Sequence, residues 1–112
     1  MRTGKGVKKM SEAFETACFG IITYVGTARS CFINAVQCAK KGEFEEAKEQ
    51  IKQGDDAFTE GHHIHADLLA LDAGGELKEA GLFLMHAEDQ LMSAETFRIM
   101  AEELIDVYKR LG

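Results

Sequence analysis

The stretch from about Leu77 to Leu111 repeats apolar side chains at three- and four-residue steps on two separate faces of one helix, and this limits what the chain can fold into. One face holds Phe83, Ala87, Leu91, Ala94, Phe97, Ala101, Leu104 and Tyr108; the other holds Leu82, Met85, Met92, Thr96, Met100 and Val107. Glu88, Glu95, Glu102 and Lys109 recur every seventh position and, with Asp106, read as one narrow solvent-facing strip. A helix in an isolated three-helix domain needs only one apolar face. The second leaves large side chains in water unless another subunit covers it, so the chain is expected to be a homo-oligomer.

Two further helices precede this one. Ser11 is a plausible N-cap, and Phe14, Ala17, Cys18, Ile21, Val25, Ala28, Phe32, Ala35, Val36 and Ala39 follow at helical spacing up to the Lys40-Lys41-Gly42 break. The next helix starts near Glu43, carries Phe44, Ala47, Ile51, Ala57, Phe58, His62, His65, Leu68 and Leu69, and ends at Asp72-Ala73-Gly74-Gly75. Gly54 inside it costs about 1 kcal/mol relative to alanine. None of the 112 residues is proline, so nothing breaks these runs. The fold class is all-α, an antiparallel three-helix bundle forming a single domain over residues 11–112. Residues 1–10 read as a loose extension, because Arg2, Lys5, Lys8 and Lys9 sit among glycines with no apolar segment of a secretory signal behind them. Met10 is an alternative start.

Composition removes several classes of function. A formal net charge of −6 with dispersed acidic residues argues against nucleic acid, which needs a clustered basic surface. A protein partner fits better. Cys18, Cys31 and Cys38 are an odd number without CxxC spacing, and are expected to be reduced core residues. No apolar run is expected to approach the ~18–20 residues of a membrane span, so the chain is expected to be cytoplasmic, without direct membrane insertion.

The chemistry centres on Leu84-Met85-His86-Ala87-Glu88-Asp89-Gln90-Leu91-Met92. His86 and Asp89 lie roughly 60° apart around the axis and one turn along, so they can share a small phosphoryl, proton or metal site. Local residues alone also allow a hydrogen-bonded core histidine at position 86. Asp89 belongs to the second apolar face, where a carboxylate needs a partner or a cation. A symmetry axis would gather several copies of it around one shared metal ion; at a solvated end of the interface it would bind nothing. Glu60-Gly61-His62-His63 has the E-x-x-H spacing of carboxylate-bridged di-metal bundles, but Phe83 stands three residues before His86 and the second such motif is missing. His62 and His65 are too few for zinc. One of them is expected to face His86 and support an anion held there.

Four segments carry a family resemblance: Gly26-Thr27-Ala28-Arg29-Ser30, the turn Ala39-Lys40-Lys41-Gly42-Glu43-Phe44-Glu45-Glu46-Ala47, Asp72-Ala73-Gly74, and His86-Ala87-Glu88-Asp89-Gln90-Leu91-Met92. With them the chain after Met10 resembles the lactose/cellobiose (chitobiose) type IIA component of the bacterial phosphoenolpyruvate-dependent sugar phosphotransferase system. The resemblance implies a homotrimer of nine helices, a phosphorylated histidine at His86 (a tele-phosphohistidine) and a metal-binding aspartate at Asp89 on the trimer axis. Members often have a second histidine where this chain has Gln90 and a glutamine where it has His65, while the histidine of their second helix falls on His62.

The implied function is a phosphoryl carrier in the uptake of a β-linked disaccharide, a phosphotransferase component without a small-molecule substrate of its own. It takes the group from the phosphocarrier protein HPr onto His86 and passes it to a cysteine of the IIB component. Gln90, with His62 or His65, would bind the phosphoryl oxygens. A hard cation such as Mg²⁺ on Asp89 would keep that carboxylate from opposing the new charge. Lactose, cellobiose and chitobiose stay open, since sugar specificity would lie in the permease. The alternatives are a metal-binding helical-bundle enzyme and a trimeric structural module without phosphotransfer.

Overall fold

The computed structural model describes residues 11–78 and 81–112. Three α-helices follow one another: α1 over Glu12–Lys40, α2 over Phe44–Ala73 and α3 over Leu82–Leu111. The expected extension over residues 1–10, with the alternative start at Met10, lies outside the described residues.

Local chemistry sets the helix ends. The Ser11 hydroxyl accepts from the Phe14 N–H at 3.1 Å and caps α1. Both turns are glycine-terminated in the same way, with Gly42 at φ +78° and Gly75 at φ +72°. At the first, the Gly42 N–H donates to the Ala39 carbonyl at 3.0 Å and the Glu43 N–H to Cys38 at 2.9 Å. At the second, Gly75 donates to Asp72 at 3.0 Å and Glu76 to Leu71 at 2.8 Å. This second turn corrects the expected start of α3. Leu77 is not its first residue; it donates to Leu71 at 3.2 Å and packs on the core as the hydrophobic clasp of the turn, and α3 begins at Leu82.

The core lies along α1, which packs extensively on both other helices while α2 and α3 touch each other far less. One cluster gathers Phe32, Ala35, Val36 and Ala39 with Ala47, Ile51, Ala101 and Ile105; the other gathers Phe14, Cys18, Ile21 and Val25 with Leu68, Ala87, Leu91 and Ala94. The central place of α1 explains its composition. It contains an 18-residue window of mean hydropathy 1.2, so the expectation that no run approaches a membrane span does not hold for α1 by length and composition. In the fold its buried residues run along the whole helix, from Phe14 to Ala39, against α2 and α3. None of the three cysteines is in a disulfide; Cys18 is buried and Cys31 and Cys38 are half-buried. Burial pushes the Cys31 thiol up, which disfavours the reactive thiolate.

Gly54 has a packing reason. A Cβ there would run into the Phe32 ring, which is fully buried and has nowhere to move. Gly54→Ala should therefore lower stability by about 1–3 kcal/mol through overpacking, despite alanine's better helix propensity. Denaturant unfolding checks this, and a stabilised variant would contradict it.

The second apolar face of α3 is uncovered: Leu82, Met85, Met92, Ile99, Met100 and Val107 are all exposed. The radius of gyration is 17.7 Å, against about 13 Å for a compact chain of this length. The chain is elongated, and one long side of it is apolar. The charged strip faces solvent as expected, with Glu95, Glu102, Asp106 and Lys109 exposed and Glu88 half-buried, and it runs along the edge of α3 toward α2. Glu88 meets His65 of α2, Glu102 lies 3.5 Å from Arg98, and Lys109 stands over the Phe44 ring of α2. Arg98 ties that edge down, forking onto Asp55 of α2 at 2.6 and 2.9 Å. The hydrogen bond to Asp55 raises the pKa of its guanidinium further.

Candidate functional site

His86 lies in the second turn of α3 and its side chain is exposed, so it is not a core histidine. Among the described residues it takes part in no hydrogen bond or ion pair, which leaves both ring nitrogens available. Its place on α3 follows from the helical period. Ala87, Leu91 and Ala94 face the core, Phe83 and Gln90 face α1, and Met85, Asp89 and Met92 lie on the uncovered face. His86 stands on the border between the last two.

The α1 side of that border is built by two contacts. Phe19 of α1 meets Phe83 edge-to-face with ring centroids 5.0 Å apart. About two turns further along α3, Arg29 Nη1 donates to Gln90 Oε1 at 2.8 Å. Gln90 is thus half-buried and oriented, its carbonyl oxygen engaged and its amide N–H groups left to donate. Sequence reading gave Arg29 no role. One signal was present, since Arg29 is the sole charged residue of α1 between Thr16 and Ala39.

Neither supporting histidine of α2 is joined to His86, and this corrects the expectation. His65 Nε2 lies 2.8 Å from Glu88 Oε2. Glu88 stands roughly 160° around α3 from His86, so this pair fastens the opposite edge. His62 is exposed and stacks on Phe58 of its own helix, centroids 6.2 Å apart. His63 and Glu60 of the E-x-x-H spacing are both exposed.

Asp89 is exposed within the single chain and flanked on its own face by Met85 and Met92. Among the described residues there is no group of three or more His, Cys, Asp or Glu side chains that could hold a metal ion. The metal-binding enzyme thus finds no three-ligand set among the described residues of one chain. What the arrangement provides is an accessible imidazole, an oriented amide and a nearby guanidinium, with exposed Phe19, Leu82 and Met85 around them.

Residues 16–109 match the family described as "PTS system, Lactose/Cellobiose specific IIA subunit". The chain is 36% identical over 102 residues to the lichenan-specific phosphotransferase enzyme IIA component of Bacillus subtilis, covering 91% of this chain and 93% of that one. Its fold is similar to that of the cellobiose-specific enzyme IIA from Bacillus anthracis, with a TM-score of 0.87 and 40% identity over 92% of this chain and 94% of the other. The IIA(chitobiose) chain solved in complex with HPr from the Escherichia coli phosphotransferase system gives a TM-score of 0.78 and 34% identity, covering 90% of this chain and 98% of that one.

Proposed function

The chain belongs to the lactose/cellobiose-specific IIA family of the sugar phosphotransferase system, and on that basis we propose that it is a cytoplasmic phosphoryl carrier that uses His86. The observation that carries the reading is the state of His86: exposed, unengaged among the described residues, and bordered by donors and exposed apolar side chains.

An ordinary imidazole is mostly neutral near pH 7 and offers a nitrogen lone pair. As that lone pair forms an N–P bond, the N–P bond of the donor's protonated phosphohistidine breaks and its electron pair returns to the donor ring, which leaves neutral. The His86 ring keeps its other N–H and becomes the phosphoimidazolium. In the next step the cysteine thiolate of IIB takes the phosphoryl group, and the His86 nitrogen recovers its pair. Such transfers need in-line placement and stabilised equatorial oxygens more than covalent help. Gln90 is placed to donate to them.

The donor is HPr, as the HPr complex of the similar IIA(chitobiose) supports, and the acceptor is the IIB component. The same apolar patch must accept both and release both, so binding is transient, with Kd in the micromolar range or weaker. The assembly is a homotrimer that buries the uncovered face of α3. Asp89 would then meet its symmetry copies, and a divalent cation such as Mg²⁺ suits that all-oxygen donor set; it would supply charge neutralisation there. The test of carriage is a chase. After phosphorylation by HPr, added IIB should drain the label from the histidine to a cysteine thiophosphate. A label that stays on the IIA chain contradicts the reading.

A further inference from the structure

Glycine in the middle of a long helix is costly, and the close approach of Phe32 accounts for Gly54. No such neighbour accounts for Gly26. A Cβ built there would meet nothing within 4 Å, although the residue is half-buried in the seam between α1 and α3. That seam is held below by the contact of Phe19 with Phe83 and above by the bond from Arg29 to Gln90. On α1 the stretch between the two contacts contains Gly26; on α3 it contains His86. The open space at Gly26 thus lies on α1 in the same stretch, between the two contacts, that carries His86 on α3.

The charge around this gap is unbalanced. Arg98, the other cross-helix arginine, is spent on Asp55 and Glu102. The described partner of Arg29 is the neutral amide of Gln90, and among the described residues no carboxylate forms an ion pair with it. Its guanidinium is thus held in place, one turn from Gly26, with a full positive charge and further N–H donors unused.

We infer that Gly26 and Arg29 form a phosphoryl-binding recess for the group carried on His86. Gly26 supplies the room and Arg29 the compensating charge, with Gln90 holding the arginine toward the site. A phosphoryl group brings about two negative charges next to Asp89 in a chain that is already acidic. A fork-shaped cation that never deprotonates matches its oxygens geometrically as well as electrically. The inference rests on His86 being the phosphoryl acceptor.

The experiment follows phosphorylation by HPr in wild type, Arg29→Gln, Arg29→Lys, Gly26→Ala, Gly26→Leu and His86→Ala, with oligomeric state and thermal unfolding measured beside it. Arg29→Gln should slow acceptance on the order of tenfold to a hundredfold, toward the weak end for one preorganised donor because the site is open to water. In ³¹P NMR of the phosphorylated protein, its phosphoryl titration should move to higher pH, since loss of the cation disfavours the dianion; Arg29→Lys should restore part of that shift. Gly26→Leu should slow acceptance while leaving Tm at or above wild type. Gly26→Ala should raise Tm by about 2–5 °C, because the methyl meets open space in a helix. If His86→Ala alone blocks phosphorylation while Arg29→Gln and Gly26→Leu match wild type in rate and titration, the recess is wrong and the carrier reading stands. If the Gly26 variants lose phosphorylation only together with trimerisation, the gap belongs to a subunit contact and the recess is again overturned. If wild type accepts nothing from active HPr, both readings fall.

Discussion

Met92→Glu is expected to break the proposed trimer into smaller species at micromolar concentration. Met92 is 63% exposed in the single chain, in the middle of an apolar band that also holds Met85, Ile99, Met100 and Val107. In the proposed assembly, covering that band drives association, so a carboxylate placed there would have to be desolvated in every copy. The effective penalty is several kcal/mol per buried ion, and a symmetric assembly incurs it once per subunit. Asp89→Leu sits on the same face and should act in the opposite direction. It removes a carboxylate from the middle of that apolar band, so the variant should hold the proposed trimer in chelator, where wild type should weaken. Sedimentation of both variants with and without Mg²⁺ reads this directly. A Met92→Glu trimer as stable as wild type, or an Asp89→Leu protein that falls to monomer, would remove the oligomer from the account.

The second large effect is in the core. Phe32 is fully buried, packs with Ala28, Val36 and Ile51, and lies against the face of α2 that Gly54 keeps bare. Phe32→Ala should cost about 3–5 kcal/mol, because neighbouring alanines and a glycine are too small to collapse into the space left by the ring. That is a large share of the ~5–15 kcal/mol that a domain of this size holds. The loss should appear as a lower denaturant midpoint at fixed protein concentration, since association adds to the apparent stability. A change below about 1 kcal/mol would mean that the helices close over the hole, and that the α1–α2 contact is not set by this ring.

Much of the fold was legible because its determinants are local. Ser11, Gly42 and the Gly74-Gly75 pair act within a few residues of where they stand, and each ends a helix where the sequence indicated. The two faces of α3 were legible because period alone separates them. Leu77 misled because an apolar residue clasping a turn looks in sequence like the first apolar residue of the next helix. The heptad of charges marked a solvent-facing strip correctly, but spacing does not show that α2 lies along it and pairs with Glu88.

The candidate site divides in the same way. His86, Asp89 and Gln90 lie within two turns of one helix, so their neighbourhood follows from sequence. The partners of Gln90 and His65 are 61 and 23 residues away, and no local rule finds them. Thus one of His62 and His65 was set facing His86, whereas His65 pairs with Glu88 on the opposite edge. Arg29 passed without a role although it interrupts a long uncharged stretch, a break in pattern that deserves a question wherever a core helix shows one.

The most direct test of the carrier role is the intact mass of the protein after incubation with phosphoenolpyruvate, enzyme I and HPr, with His86→Ala alongside. The account predicts one acid-labile phosphoryl group per chain in wild type and none in the variant. Phosphorylation that persists in His86→Ala, or a wild-type mass unchanged in the presence of active partners, would contradict it.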